Sequence, residues 1–267
     1  MTALSLQVQA VGLSAPGLEN WAQARQTLQG EAGYRGAADY KFPAPSKLPA
    51  NERRRATPLT RLAFAACEDA LQSLAEPLPS MRSVFASCSG DMDVINSICR
   101  GLCAEPIALS PMQFHNSVHN APAGYWSIAG GDHSASTSIS AYDASFAAGL
   151  LESALQLHDD PGQALLLVCY DVATPAPLHA ARPVPLPFAS AWLLAADSRQ
   201  HSLAQLQLRS EPGDLAETVL EGELEQLRLQ NPAARALPLL QLLAQGQTGE
   251  LILGGKRSAL RVTVAAS

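Results

Sequence analysis

The sequence predicts an α/β fold, three layers deep with a mixed sheet, and three observations carry that reading. Apolar runs of strand length alternate with stretches of helical period along the chain. One run, Gln163-Ala-Leu-Leu-Leu-Val-Cys169, is almost wholly apolar, as suits a mid-sheet strand covered on both faces. Turn signals punctuate the joins, above all the five prolines at 175, 177, 183, 185 and 187, which make 175–187 a long irregular loop.

Each element follows from its own pattern. Leu4, Leu6, Val8 and Ala10 alternate with other residues and predict a first strand over 3–10. A helical period follows over 18–28. The stretch 40–58 is proline-rich and carries Glu52-Arg-Arg-Arg55, a solvated loop or helix entry. Thr57-Pro58 forms an N-cap and first-turn pair, opening a helix to about Leu74 with Leu59, Leu62, Ala63, Ala66 and Ala70 on one face. A buried strand over 83–88 ends in Ser89-Gly90-Asp91, and a helix runs on to about Leu102. An irregular connection over 106–114 and a helix over 116–129 come next. Then come a strand over 136–141 and a helix over 143–157. Further strands are expected over 188–196, 203–208, 250–253 and 260–264, and helices over 214–229 and 233–244.

Composition narrows the function. The chain has 267 residues and a net charge of -6, which disfavours nucleic acid and anionic membranes as partners. Only 16% of residues are charged, against about 25% in ordinary soluble domains. Two explanations stand side by side: a surface covered by another subunit, or simply an alanine-rich composition. No run reaches the ~18 apolar residues of a membrane span. The first ten residues lack a basic segment followed by an apolar one, so no signal peptide is expected. Five scattered cysteines (67, 88, 99, 103 and 169) argue for a reducing, cytoplasmic setting rather than a disulfide framework.

Ser136-Thr-Ser-Ile-Ser-Ala-Tyr-Asp-Ala-Ser-Phe-Ala-Ala-Gly149 concentrates the chemistry. It reads as a strand, a sharp elbow at Tyr142, and a helix whose N-terminus favours an anion. A cysteine at such an elbow would be acidified. Tyrosine, with an unperturbed pKa of about 10, is a poor acyl carrier. Asp143 suits the helix dipole, and Ser145 lies a turn inside the helix without a Gly-x-Ser-x-Gly pattern. Gly124, Gly130 and Gly131 form no dinucleotide fingerprint, and there is no P-loop. His115 and His119 stand at i and i+4, a spacing that can chelate a metal. With no third ligand at hand, cleft lining or helix capping with Asn116 and Asn120 is the preferred reading, and neither metal nor cofactor is expected. Cys99 and Cys103 are spaced for helix packing. Cys88, at a strand end, is a candidate reactive thiol or a small buried apolar side chain.

The order of motifs resembles one family. Ser110-Pro-Met-Gln-Phe-His-Asn-Ser-Val-His-Asn-Ala-Pro-Ala-Gly-Tyr-Trp-Ser-Ile-Ala129, Gly130-Gly131, and then Ser136 through Glu152 are similar to the N-terminal half of β-ketoacyl synthases. In that family a cleft-lining helix, a glycine turn and a strand lead to an Ala-Cys-Ser-Ser-Ser-like elbow. Here Ala141-Tyr142-Asp143-Ala144-Ser145 stands in its place. Ser87 to Gly90 and Leu166-Leu-Val-Cys-Tyr-Asp171 resemble two further family segments. More narrowly, the chain resembles the short chain-length-factor-like subunits of aryl polyene and related pigment pathways. The resemblance covers roughly 1–200.

The resemblance implies a thiolase-like three-layer αβα unit with a mixed five-stranded sheet, a single half rather than the duplicated fold. Residues 201–267 form a short α/β tail completing or packing on it. The two family histidines, in His-Gly-Thr and Gly-His contexts, have no counterpart, since His158, His179 and His201 lie in unrelated surroundings. Condensation of the family's kind needs a thiolate and two imidazoles. The implied role is therefore a non-catalytic subunit that pairs with a catalytic ketosynthase, meets acyl carrier protein through that complex, and shapes the acyl tunnel. Thr137, Ser138, Ile139 and Ser140 would pair with the partner's edge. Met112, Phe114, His115 and His119 would approach its acyl pocket, and Tyr142 would fill the chain's own vestigial cleft. The alternatives are an independent acyl-thioester enzyme using Cys88 or Ser145 with His115 or His119 as base, and a homodimeric acyl-chain-binding module.

Overall fold

A computed structural model describes residues 3–36, 40–72, 80–197, 202–254 and 258–267. His201 and the expected helix end at Leu74 lie outside the described residues. The strands are β1 (Leu4–Ser14), β2 (Arg82–Ala86), β3 (Ser136–Ile139), β4 (Leu165–Asp171), β5 (Phe188–Ala195), β6 (Ala204–Pro212), β7 (Gly249–Leu253) and β8 (Ser258–Ala266). The helices are α1 (Trp21–Leu28), α2 (Ala50–Arg55), α3 (Pro58–Leu71), α4 (Met92–Leu102), α5 (Pro111–Asn116), α6 (Ala121–Gly130), α7 (Ser145–Asp159), α8 (Gly222–Gln230) and α9 (Leu237–Gln245).

The strands form one sheet in the order β3-β2-β4-β5-β1-β6-β8-β7. β2 is parallel to both β3 and β4, and the remaining pairings are antiparallel. The first five strands of that order make the mixed unit. The sheet has eight strands rather than the expected five, because the tail joins it: β6 pairs with β1 from Leu4↔Leu208 to Val8↔Ala204, and β8 and β7 follow. Without β6, half of β1 would present a row of unpaired backbone groups.

Helices cover both faces. Leu59, Leu62 and Ala66 of α3 pack on Phe85, Val168 and Leu193. On the opposite face Phe146, Leu150 and Leu157 of α7, with Leu237 and Leu240 of α9, meet Trp192, Leu194 and Leu206. β4, between two strands and two helical layers, is buried at every residue. Two glycines permit this closeness. A Cβ on Gly12 would lie 2.1 Å from the Ala66 carbonyl oxygen of α3. One on Gly149 would lie 2.9 Å from Leu167 Cδ1.

Local chemistry explains the departures from the sequence reading. β1 runs on to Ser14 because Val11 to Ser14 have partners on β5, Trp192 to Ala189. α5 forms in the stretch expected to be irregular, with Pro111 in its first turn. α6 begins at Ala121 rather than 116, so His115 and His119 share no continuous helix. Residues 214–221 are not helical. Thr218 N–H donates to the Ile252 carbonyl (3.0 Å) and Ile252 N–H donates to Thr218 Oγ1 (2.8 Å), laying the segment along β7.

At the opposite edge, β3 pairs only with β2 among the described residues. The carbonyls of Ala135 and Ile139 accept from Ser83 and Ser87. By strand alternation, the N–H and C=O groups of Ser136 and Ser138 point away from the sheet. Among the described residues no helix is long and apolar enough to cross a membrane.

Candidate functional site: the elbow after β3

The C-terminal ends of the parallel strands β2, β3 and β4 converge on the elbow. Tyr142 has φ +54°, the one left-handed non-glycine residue described. For an aromatic side chain that conformation costs on the order of 1–2 kcal/mol, so the surroundings must enforce it. Ser145 Oγ donates to the Tyr142 carbonyl (2.7 Å) and accepts from Ala141 N–H (3.1 Å), clamping the turn from inside the helix. Ser140 Oγ donates to the Cys88 carbonyl (2.8 Å), joining the elbow to the end of β2. Gly254, after β7, approaches so closely that a Cβ there would lie 3.1 Å from Ala144 Cβ.

One cation organises the front of this site. The Arg182 guanidinium, from the 175–187 loop, lies 3.7 Å from the centroid of the Tyr142 ring. Its Nη2 also pairs with Asp143 Oδ1 (2.5 Å) and donates to Cys88 Sγ (3.3 Å). Ser89 Oγ lies 2.7 Å from the same sulfur. Burial first, then the Asp171 carboxylate, pushes the Cys88 thiol up, against the hydrogen bonds from Ser89 and Arg182. Cys88 is therefore held as a thiol rather than poised as a thiolate.

Beneath the elbow, Asp171 Oδ1 accepts from Ser87 Oγ and from Cys88 N–H, both at 2.9 Å. Burial pushes its carboxyl up to about 7, against those hydrogen bonds and the nearby Arg182 charge. Asn231 Nδ2 donates to the carbonyls of Asp171 (3.1 Å) and Leu186 (2.8 Å), tying the tail to the floor of the site.

The residues singled out in the sequence fall into three groups. Tyr142 is 61% exposed, so in this chain its ring lies at the surface against Arg182 rather than inside a closed cleft. Thr137, Ser138, Ile139 and Ser140 lie on or just beyond the edge strand. Phe114 and His115 line a groove of about 420 Å³ with Pro111, Val118, Tyr125 and Ile128, while Met112 is half-buried beside it on α5.

The alternative nucleophiles are engaged elsewhere. Ser145 is 1% exposed and held in the turn. His119 Nε2 lies 3.0 Å from the Ser87 carbonyl, to which it can only donate. His115 packs edge-on to the Tyr125 ring, with centroids 5.9 Å apart. Among the described residues no histidine is bonded to Cys88 or Ser145, and no cluster of three or more His, Cys, Asp or Glu could hold a metal. Arg182 is the residue the sequence did not reveal, being 40 positions from Tyr142 within a proline-rich loop.

A left-handed strand–helix elbow at the end of a β3-β2-β4-β5-β1 sheet, with helices on both faces, is a thiolase-like fold in a single half. The sequence matches the model of the β-ketoacyl synthase N-terminal domain over residues 20–258, and the chain belongs to that family. Among solved structures it is similar to a chain of the Xenorhabdus doucetiae complex of the ketosynthase ApeO with its chain length factor ApeC. That match has a TM-score of 0.72 and 22% identity, and covers 97% of this chain and 99% of that one. A chain of the ishigamide ketosynthase/chain length factor gives a TM-score of 0.77 at 10% identity, covering 98% and 99%. A chain of AntDE:AntF, a type II polyketide acyl-carrier protein in complex with its ketosynthase, gives 0.78 at 12% identity, with full coverage of both. No curated protein matches the sequence.

Proposed function

We propose that the chain is a non-catalytic, chain-length-factor-like subunit. It pairs with a catalytic β-ketoacyl-ACP synthase and shapes that enzyme's acyl tunnel while an aryl polyene or polyketide-like chain grows. The observation that carries this reading is the elbow: its left-handed backbone is kept, yet Tyr142 stands at the nucleophile position. Neither Cys88 nor Ser145 has a histidine bonded to it among the described residues.

The surface supports the pairing. β3 offers an open edge, with serines whose small side chains let another strand approach. Elsewhere α4, which packs with α5, buries none of its residues, and Leu102, Ile107, Leu109, Phe114 (72%), Val118 and Ile128 are exposed. Large apolar surface of this kind marks a contact with another chain. The similar structures include ketosynthase/chain length factor assemblies and an acyl-carrier-protein complex, which suit a catalytic ketosynthase as direct partner and a carrier protein met through it. A cytoplasmic location follows from the same reading.

The test is co-purification with a catalytic ketosynthase, followed by an elongation assay on acyl carrier protein. A 1:1 complex is expected. Tyr142→Phe should leave condensation within about twofold of wild type, because the ring face still meets Arg182. Replacing the partner's nucleophile should abolish condensation. Acyl-thioester turnover by this chain alone would restore the enzymatic alternative at Cys88 or Ser145.

A further inference from the structure

We infer that Arg182 is an internal plug of the elbow, a latch on the 175–187 loop that fills the space a thioester would need in front of Tyr142 and Cys88. The inference rests on the non-catalytic reading and says how the vestigial site is kept shut. Three groups give the elbow its residual chemistry: the Tyr142 ring, the Asp143 carboxylate and the Cys88 thiol. One guanidinium engages all three, at 3.7 Å, 2.5 Å and 3.3 Å. Arg182 reaches them from 39 to 94 positions away in the chain, so the contacts report how the loop folds back rather than any local turn.

At its far end the loop is anchored by Val184 and Pro187, both buried, and by the Leu186 carbonyl, which accepts from Asn231 Nδ2 (2.8 Å). Thr174 N–H donates to the Val184 carbonyl (2.9 Å), and Arg182 N–H donates to the Leu178 carbonyl (2.9 Å). Residues 176, 177, 179–181, 183 and 185 are exposed. The Arg182 side chain, in the midst of these, is only 17% exposed. Arginine suits the position because a planar guanidinium can stack on a ring while its edge donates to a carboxylate and a sulfur. The ring it covers belongs to the strained residue, so the latch both closes the elbow and resists relaxation of its left-handed turn. A thioester approaching along the strand ends would meet a stacked cation already paired with Asp143 and bonded to Cys88.

Hydrogen–deuterium exchange on the full chain tests this, with Arg182→Ala, Arg182→Lys, Asp143→Asn and the double variant Arg182→Ala/Asp143→Asn. Amides of 175–187 are expected to exchange about tenfold faster in Arg182→Ala while β4 and β5 keep their protection. Lysine, which keeps the ion pair and loses the planar stack, should fall between. The double variant should exchange no faster than Arg182→Ala, since both substitutions break one latch. Unchanged exchange in Arg182→Ala, or additive effects in the double variant, overturns the plug. Should Arg182→Ala fail to fold, Asp143→Asn at its half-exposed position still decides: unchanged exchange there overturns the plug, and faster exchange supports it. Acylation of the wild-type chain by a thioester probe would overturn the non-catalytic reading instead, so the two failures are distinguishable.

Discussion

Asp171 accepts two hydrogen bonds through one carboxylate oxygen and leaves the other, also buried, unpaired. Its folded-state pKa of about 7 stands well above the unfolded value near 3.9. Between those values the folded chain holds a proton that the unfolded chain has released. The stability linked to this group is therefore complete below about pH 4 and is lost as pH rises through about 7. Asp171→Asn keeps an oxygen for Ser87 and Cys88 and removes the titration. Urea melts across this range should show the variant gaining on wild type as pH rises, by up to about 4 kcal/mol. A constant offset at every pH would show that Asp171 does not titrate there. At this scale the sequence was half legible. Tyr142 stood out because a strand and a helix meet at it. Arg182 did not, because no periodicity says which side chain of a proline-rich loop folds back onto a distant turn.

Helices and strands were easier to read wherever one buried face sets the period. α3 carries Leu59, Leu62, Ala63, Ala66 and Ala70 buried as its spacing implies, and Thr57 Oγ1 accepts from Thr60 N–H at its start. Residues 214–221 misled because their pattern is equally served by an extended segment bonded to Ile252, a partner invisible to local sequence. Two element-level outcomes follow. Gly12→Ala drives a methyl into the backbone of α3, which cannot move aside without leaving β1 and β5. It should cost about 3 kcal/mol or more in denaturant melts, or prevent folding. Ser138→Pro removes an N–H that points away from β2. The chain should melt within about 1 kcal/mol of wild type, yet fail to form the proposed complex with a ketosynthase in size-exclusion chromatography. A proline variant that still forms the 1:1 complex would show that pairing does not run through β3.

The whole molecule is held together by its tail more than the motif order suggested. Leu206, Leu208, Val262 and Val264 share one buried cluster with Leu6, Val8 and Trp192. Arg228, almost fully buried, pairs with Glu217 (2.6 Å) and Glu225 (2.7 Å), and Arg235 also pairs with Glu217, fixing the approach of α8 and α9. A chain ending at 202 should therefore aggregate on expression rather than yield a smaller folded unit, as a soluble-fraction assay would show. The motifs read in the sequence reached only to about 200, although the family model runs to 258, because the tail's strands complete the sheet without carrying a motif. The two margins of the sheet also differ: at β7 both backbone groups of Ile252 are already taken by Thr218, whereas among the described residues β3 has no neighbour beyond β2. A sheet with one blocked margin and one free margin has a valence of one. If the proposed partner docks along β3, it fills that one open margin, and pairing through this sheet stops at two chains.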